Sequence, residues 1–201
     1  MGGTWRKVAV GAVVVALLAF FMLACGGSVK TYETDKANKS IDLANSFLDD
    51  YNNLQAEINK SWDRVDAMPA DIPGMQQRKT VLLEIQKQIV EQASLLDKMI
   101  TEYENARKLY ISADMKTYFQ MLIDHTKKQK EVNAIFQTGT ANRIKLADDI
   151  IAGGDALALA TASDAEVDAL NKQAEKLQAD AKALKDKADK FHVDKNLSGN
   201  Q

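Results

Sequence analysis

Side chains able to do covalent, metal or proton-transfer chemistry are few in this chain. Its 201 residues hold one cysteine, Cys25, and two histidines, His125 and His192. A carboxylate-bridged di-iron centre in a helical bundle asks for Glu-x-x-His on each of two helices, with further glutamates from the others. Leu122 stands three residues before His125 and offers no ligand, and Asp189-x-x-His192 has ligand spacing but stands alone near the carboxyl terminus. Nucleophilic catalysis needs a Ser or Cys with a positioned base and an oxyanion site. No Gly-x-Ser-x-Gly and, beyond residue 27, no glycine-rich phosphate loop is present. The acidic pairs Asp49-Asp50 and Asp148-Asp149 are neighbours on helical segments, about 100° apart, and would not share a proton. The basic cluster Lys127-Lys128-Gln129-Lys130 reads as solvated helix surface. The pattern therefore predicts a protein that is not an enzyme and has neither metal nor cofactor.

Cys25 is different because of what precedes it. Arg6 and Lys7 give a short positive segment, Val8 through Leu23 is an apolar run of 16 residues, and the small residues Ala24 and Gly26 flank the cysteine. That is the layout of a secretory signal. At 1.5 Å per residue the run spans roughly 24 Å, short of the ~30 Å a stable transmembrane helix crosses. A lone cysteine in an exported chain makes no internal disulfide, and its place at the end of the apolar run suits acylation better than a free thiol or an uncleaved anchor.

Met22-Leu23-Ala24-Cys25 resembles the lipobox of bacterial lipoproteins. The resemblance covers residues 1–27 and implies a diacylglycerol thioether on Cys25, cleavage after Ala24 and a fatty acyl chain such as palmitate on the freed amine. Two or three acyl chains hold a protein at a membrane essentially permanently, at about 0.8 kcal/mol per buried CH₂. Gly26, in place of an inner-membrane-retaining Asp, implies the outer membrane, facing the periplasm, in an organism that has one. Otherwise it implies the outer face of the cell membrane.

Removal of residues 1–24 leaves 177 residues, enough for one domain with a core. It also takes away two bases and no acid, so the formal net charge moves from −2 to −4. A mildly acidic, mixed surface argues against nucleic acid and polybasic membrane docking. Two prolines, few β-branched runs and abundant Ala, Leu, Lys, Gln and Glu predict an all-α chain.

Apolar residues recur at alternating three- and four-residue steps, which predicts four long helices. The first runs from Tyr32 to Met68 along Ile41, Ala44, Leu48, Tyr51, Gln55, Ile58, Trp62 and Val65. Pro69 to Gly74 is a turn, and the second helix follows from Met75 to Tyr110. At 111–114 no Gly or Pro enforces a stop: compactness favours a hairpin capped by Ser112 or Asp114, and one continuous helix over 75–152 is the alternative. The third helix then covers 114–152, with Phe136, Ile144, Ala147 and Ile151 on its later face and Gly139 at a close approach or a kink. Gly153-Gly154 ends it. Residues 155–162 read as a loop or a short extra turn, and Ser163-x-x-Glu166 reads as the capping box of the fourth helix.

The predicted architecture is an antiparallel bundle of four long helices with coiled-coil-like packing. The expected divisions are signal 1–24, lipidated tether 25–31, bundle 32–193 and polar tail 194–201. Most aromatic residues fall on the apolar faces and read as core. Trp62, Tyr110, Tyr118 and Phe119, beside the turns, are the candidates for exposed partner anchors. The expected function is an envelope lipoprotein whose helical surface scaffolds or binds another envelope protein, with the bilayer as its second partner through Cys25. The alternative is a ligand-binding or sensor module with a cavity near Gln55, Gln129 and Gly139.

Overall fold

The structure, a computed structural model, describes residues 28–69 and 71–197. Four α-helices account for nearly all of them: α1 (Ser28–Ala67), α2 (Ile72–Lys108), α3 (Ala113–Ile151) and α4 (Ala156–Asp194). No strand occurs among the described residues. The expected all-α four-helix bundle is thus the fold, and its short turns make consecutive helices antiparallel neighbours. The chain divides into two compact units, each taking a segment of every helix. One is built from Asn53–Ala93 and Glu131–Lys176, the other from 28–52, Ser94–Lys130 and 177–197.

Each turn is closed by local chemistry. Asp71 caps α2, its Oδ1 accepting from the Gly74 N–H at 2.8 Å while its carbonyl accepts from Met75. Gly74 is required there, since a Cβ would lie 2.2 Å from the Pro69 carbonyl oxygen. Ser112, and not Asp114, caps α3, its Oγ accepting from the Met115 N–H at 3.1 Å. α3 ends with Gly153 in the left-handed region (φ 93°) and the Gly154 N–H bonded back to Asp149 at 3.0 Å, a Schellman closure. α4 ends the same way with Asn196 (φ 49°), and Leu197 folds back to a buried position. The packed chain therefore runs past the expected tail boundary at 194.

The start of α4 corrects the sequence reading. Asp155 is the cap, accepting from the Ala158 N–H at 3.2 Å and, through its carbonyl, from Leu159 at 3.0 Å. Residues 156–162 are helix, and Ser163 lies inside it at a half-buried position. The Gly153-Gly154 closure delivers the chain directly to Asp155, so the helix begins as soon as a side chain can cap it.

Side-chain burial follows a three-four rhythm through each helix. The α1 residues predicted to face inward are buried from Ile41 to Val65, with Gln55 half-buried in the same row. In α3 the rhythm continues from Phe136 through Gly139, Arg143, Leu146 and Ile150, all buried, so the inward face passes through Arg143 and leaves Ile144 and Ile151 half-exposed. That overturns the expected placement of Ile144 and Ile151. α3 runs through Gly139 without interruption. In α4 the small residues lie innermost: Ala174, Ala181 and Ala188 are buried while Leu170, Leu177 and Leu184 are half-exposed. Alanine at every seventh residue lets the α4 backbone approach its neighbours closely, and the leucines seal the flanks.

Asp155→Ala should lower stability by about 1 kcal/mol, whereas Ser163→Ala should change it by less than about 0.5 kcal/mol. Urea denaturation of both variants checks this, and the reverse order would restore the capping box at Ser163.

Candidate functional site

In the unit built from Asn53–Ala93 and Glu131–Lys176, the inward rows carry polar residues among the apolar ones. A directed chain of amides crosses three helices there. Asn133 Nδ2 of α3 donates to Gln92 Oε1 of α2 at 3.3 Å, and Gln92 Nε2 donates to Gln55 Oε1 of α1 at 3.2 Å. Gln55 Nε2 then donates to Asn59 Oδ1 at 3.1 Å. Each amide spends its N–H on the next amide's oxygen, so the dipoles align and reinforce one another. Gln92 and Asn133 are buried, and Thr140 beside them turns its hydroxyl to the Phe136 carbonyl at 2.8 Å.

A cavity of about 10 Å³ lies against this chain, lined by Gln55, Gln92, Trp62 and Thr140 with Ile58, Ile89 and Phe136. The buried Trp62 indole N–H, also at its wall, has no hydrogen-bond partner. The space suits one water molecule at most, whereas ligand pockets run from about 300 to 1,000 Å³. Of the residues expected around a ligand cavity only Gln55 lines it; Gln129 is buried in the other unit. A larger space of about 310 Å³ is an open surface groove of α3 and α4 around Leu146, Leu159, Lys145 and Glu166.

Two buried arginines flank the same interior. Arg78 donates to the Met68 carbonyl, holding the end of α1 against α2. The Arg143 guanidinium lies 5.2 Å from the Trp62 ring centre, a cation–π contact. Burial pulls the pKa of both below the usual arginine value, and the Asp66 carboxylate opposes the shift in each. Guanidinium is far too basic to exchange protons near neutrality, so these are structural ions. Their signal in the sequence was their place: Arg78, Gln92 and Arg143 all fall on the inward steps of their helices.

The aromatic candidates separate. Trp62, Tyr118 and Phe119 are buried, which removes them as surface anchors; only Tyr110 is exposed, at 69%. In the second unit, Phe119 is fully buried between Tyr103 and Tyr118, with ring centres 6.5 and 6.1 Å away. Burial raises the pKa of both tyrosines well above the ordinary phenol value. Tyr118 also lies 5.1 Å from the His192 ring. His125 Nδ1 meets the Ala181 carbonyl at 2.9 Å, a contact the small α4 side chains permit. Burial, the larger influence, lowers the pKa of both histidines, and Asp189 opposes it. Among the described residues no three His, Cys, Asp or Glu gather as a metal site. In the basic cluster, Gln129 is buried and Lys130 pairs with Asp97 at 2.5 Å.

Cys25 and the signal segment lie outside the described residues. Among the described residues, no helix is long and apolar enough to cross a membrane. Comparison of the chain with known protein families, curated protein sequences and solved structures finds no match.

Replacing Gln92 with Leu leaves Asn133 without its acceptor and Gln55 without its donor, and should cost about 1–3 kcal/mol by denaturant unfolding. Gln88→Ala, which breaks only an exposed bond to Glu57, should stay within about 0.5 kcal/mol. The histidines give a pH signature. With folded-state pKa values below the ordinary 6.5, the unfolded chain takes up protons first as pH falls. Stability should therefore be level above pH 6.5 and decline below it, and His125→Gln should flatten that decline in urea midpoints taken through the same range.

Proposed function

We propose that this protein is an exported bacterial lipoprotein whose helical bundle is a non-catalytic scaffold for another protein of the cell envelope. The observation that carries the reading is the cysteine at the end of the apolar run: Ala24-Cys25-Gly26 follows sixteen apolar residues and a positive start. Lipidation there accounts for the single thiol and the short tether. Gly26 after the cysteine favours the outer membrane.

The bundle supports the scaffold half of the proposal through its interior. The buried amides Gln92 and Asn133 hydrogen-bond with each other and with Gln55, and the cavity beside them is of water size. This favours a scaffold over a small-molecule sensor. Cross-strut ion pairs such as Lys79–Asp148 at 2.6 Å add rigidity at the surface, although each exposed pair contributes less than about 1 kcal/mol.

Cys25→Ser should abolish the acyl mass on the mature protein and move it from the membrane to the soluble fraction, with the helical circular-dichroism signal unchanged. Mass spectrometry of the amino-terminal peptide and fractionation read the two halves of this outcome. An unmodified Cys25 in the membrane-bound wild type would overturn the anchor. Crosslinking in intact cells that recovers no envelope protein would overturn the scaffold.

A further inference from the structure

In the unit holding residues 28–52, Ser94–Lys130 and 177–197, three chain segments meet at one end: the start of α1, the α2–α3 turn and the end of α4. The Tyr110 N–H donates to a Glu33 carboxylate oxygen at 2.7 Å, tying the turn to the first turns of α1. That bond, followed by Lys36, holds the Glu33 carboxyl below its ordinary pKa. Lys195 reaches Asp114 at 3.6 Å and the His192 ring packs at a tilt against Tyr118, tying α4 to the start of α3. This end carries two of the most exposed large apolar side chains among the described residues, Tyr110 at 69% and Val193 at 74%. Ile111 is half-exposed beside them, and Arg107 and Lys108 close α2.

We infer that this end is a membrane-seating surface, with Tyr110 and Val193 resting in the headgroup region of the bilayer that holds the anchor. The inference rests on lipidation at Cys25 and names what the exposed end touches. Ser28 is the first residue of α1, and three residues of chain reach at most about 11 Å. Glu33 stands roughly 7.5 Å further along the helix by its rise of 1.5 Å per residue. A lipid on Cys25 therefore brings the bilayer surface within reach of Tyr110. The side chains suit that place. Tyrosine is enriched at the headgroup level, and lysine and arginine reach outward to phosphates while their stems stay on apolar surface. Bases and acids are mixed here, Arg107, Lys108 and Lys195 against Glu33, Asp114 and Asp194, so seating is apolar in origin and survives high salt.

The full-length lipidated protein, reconstituted in phosphatidylethanolamine–phosphatidylglycerol vesicles, tests this. Once Cys25 carries lipid, a cysteine introduced elsewhere is the sole free thiol, so Tyr110→Cys, Val193→Cys and Leu43→Cys each take one environment-sensitive fluorophore. Leu43 is an exposed control in the same unit, about 22 Å along α1 from Ser28. Labels at 110 and 193 should shift to the blue and be quenched several-fold more strongly by headgroup-level nitroxide lipids than the label at 43, with little change at high salt. Water-like emission at 110 and 193 from protein that floats with the vesicles and carries the acyl mass would overturn the seating surface and leave the anchor standing. Protein that neither floats nor carries the mass would overturn both.

Discussion

Long helices with a repeating apolar face can slide past one another by a whole heptad and still bury grease against grease. The chain of amides from Asn133 through Gln92 to Gln55 and Asn59 removes that freedom. A shift of α2 by one heptad against α1 and α3 would carry Gln92 out of reach of both neighbours and leave buried amides unpaired. Each buried polar group left so costs about 1–3 kcal/mol, against a total stability of about 5–15 kcal/mol for a domain. A core of leucine alone would bury as much apolar surface without marking a register. Polar groups inside a heptad core specify alignment better than they add stability.

The other buried polar residues extend the same logic at the ends and edges of the helices. Arg78 occupies an inward step near the start of α2, where the carbonyls ending α1 lack helical donors, and it supplies one to Met68. Arg143 and Trp62 pair a charge with a ring face where two apolar side chains would have sufficed for burial alone. In the second unit His125 reads the α4 backbone directly, which is possible only because Ala181 has nothing larger than a methyl group in the way. Each contact is specific to one pairing of helices. Together they select one bundle from the several that the apolar pattern permits.

Much of this was legible because the helical period is so regular. The inward row of α1 could be listed from Ile41 to Val65 without a structure, and Pro69, Pro73 and Gly153-Gly154 marked two of the three turns. Two of the departures share one cause, residue type set above position. The expected row ran through Ile144, whereas the step from Phe136 through Gly139 lands on Arg143, a charged residue at an inward position. The spacing of Ser163 to Glu166 is a familiar capping signature, but Asp155, directly after a glycine pair, holds the stronger position. The aromatic anchors failed differently. Tyr118 and Phe119, expected as exposed anchors because they flank a turn, are both buried, since a helix in a four-helix core presents a face wide enough for two adjacent rings.

On the proposed reading, the fold contributes to function by holding a surface in place. The described interior holds tyrosines and histidines whose pKa values burial shifts toward the neutral forms. The one side chain suited to covalent modification, Cys25, precedes the first helix by three residues. On the proposed reading, reactivity and architecture are therefore divided along the chain. On that proposal Cys25 carries the lipid and the bundle carries the binding surface. A scaffold of this kind gains from a core that specifies a single register, because a partner recognises surface residues only if the helices that display them stay aligned. The buried amides and arginines serve that surface from within, which is why polar residues occupy positions where apolar ones would have packed as well.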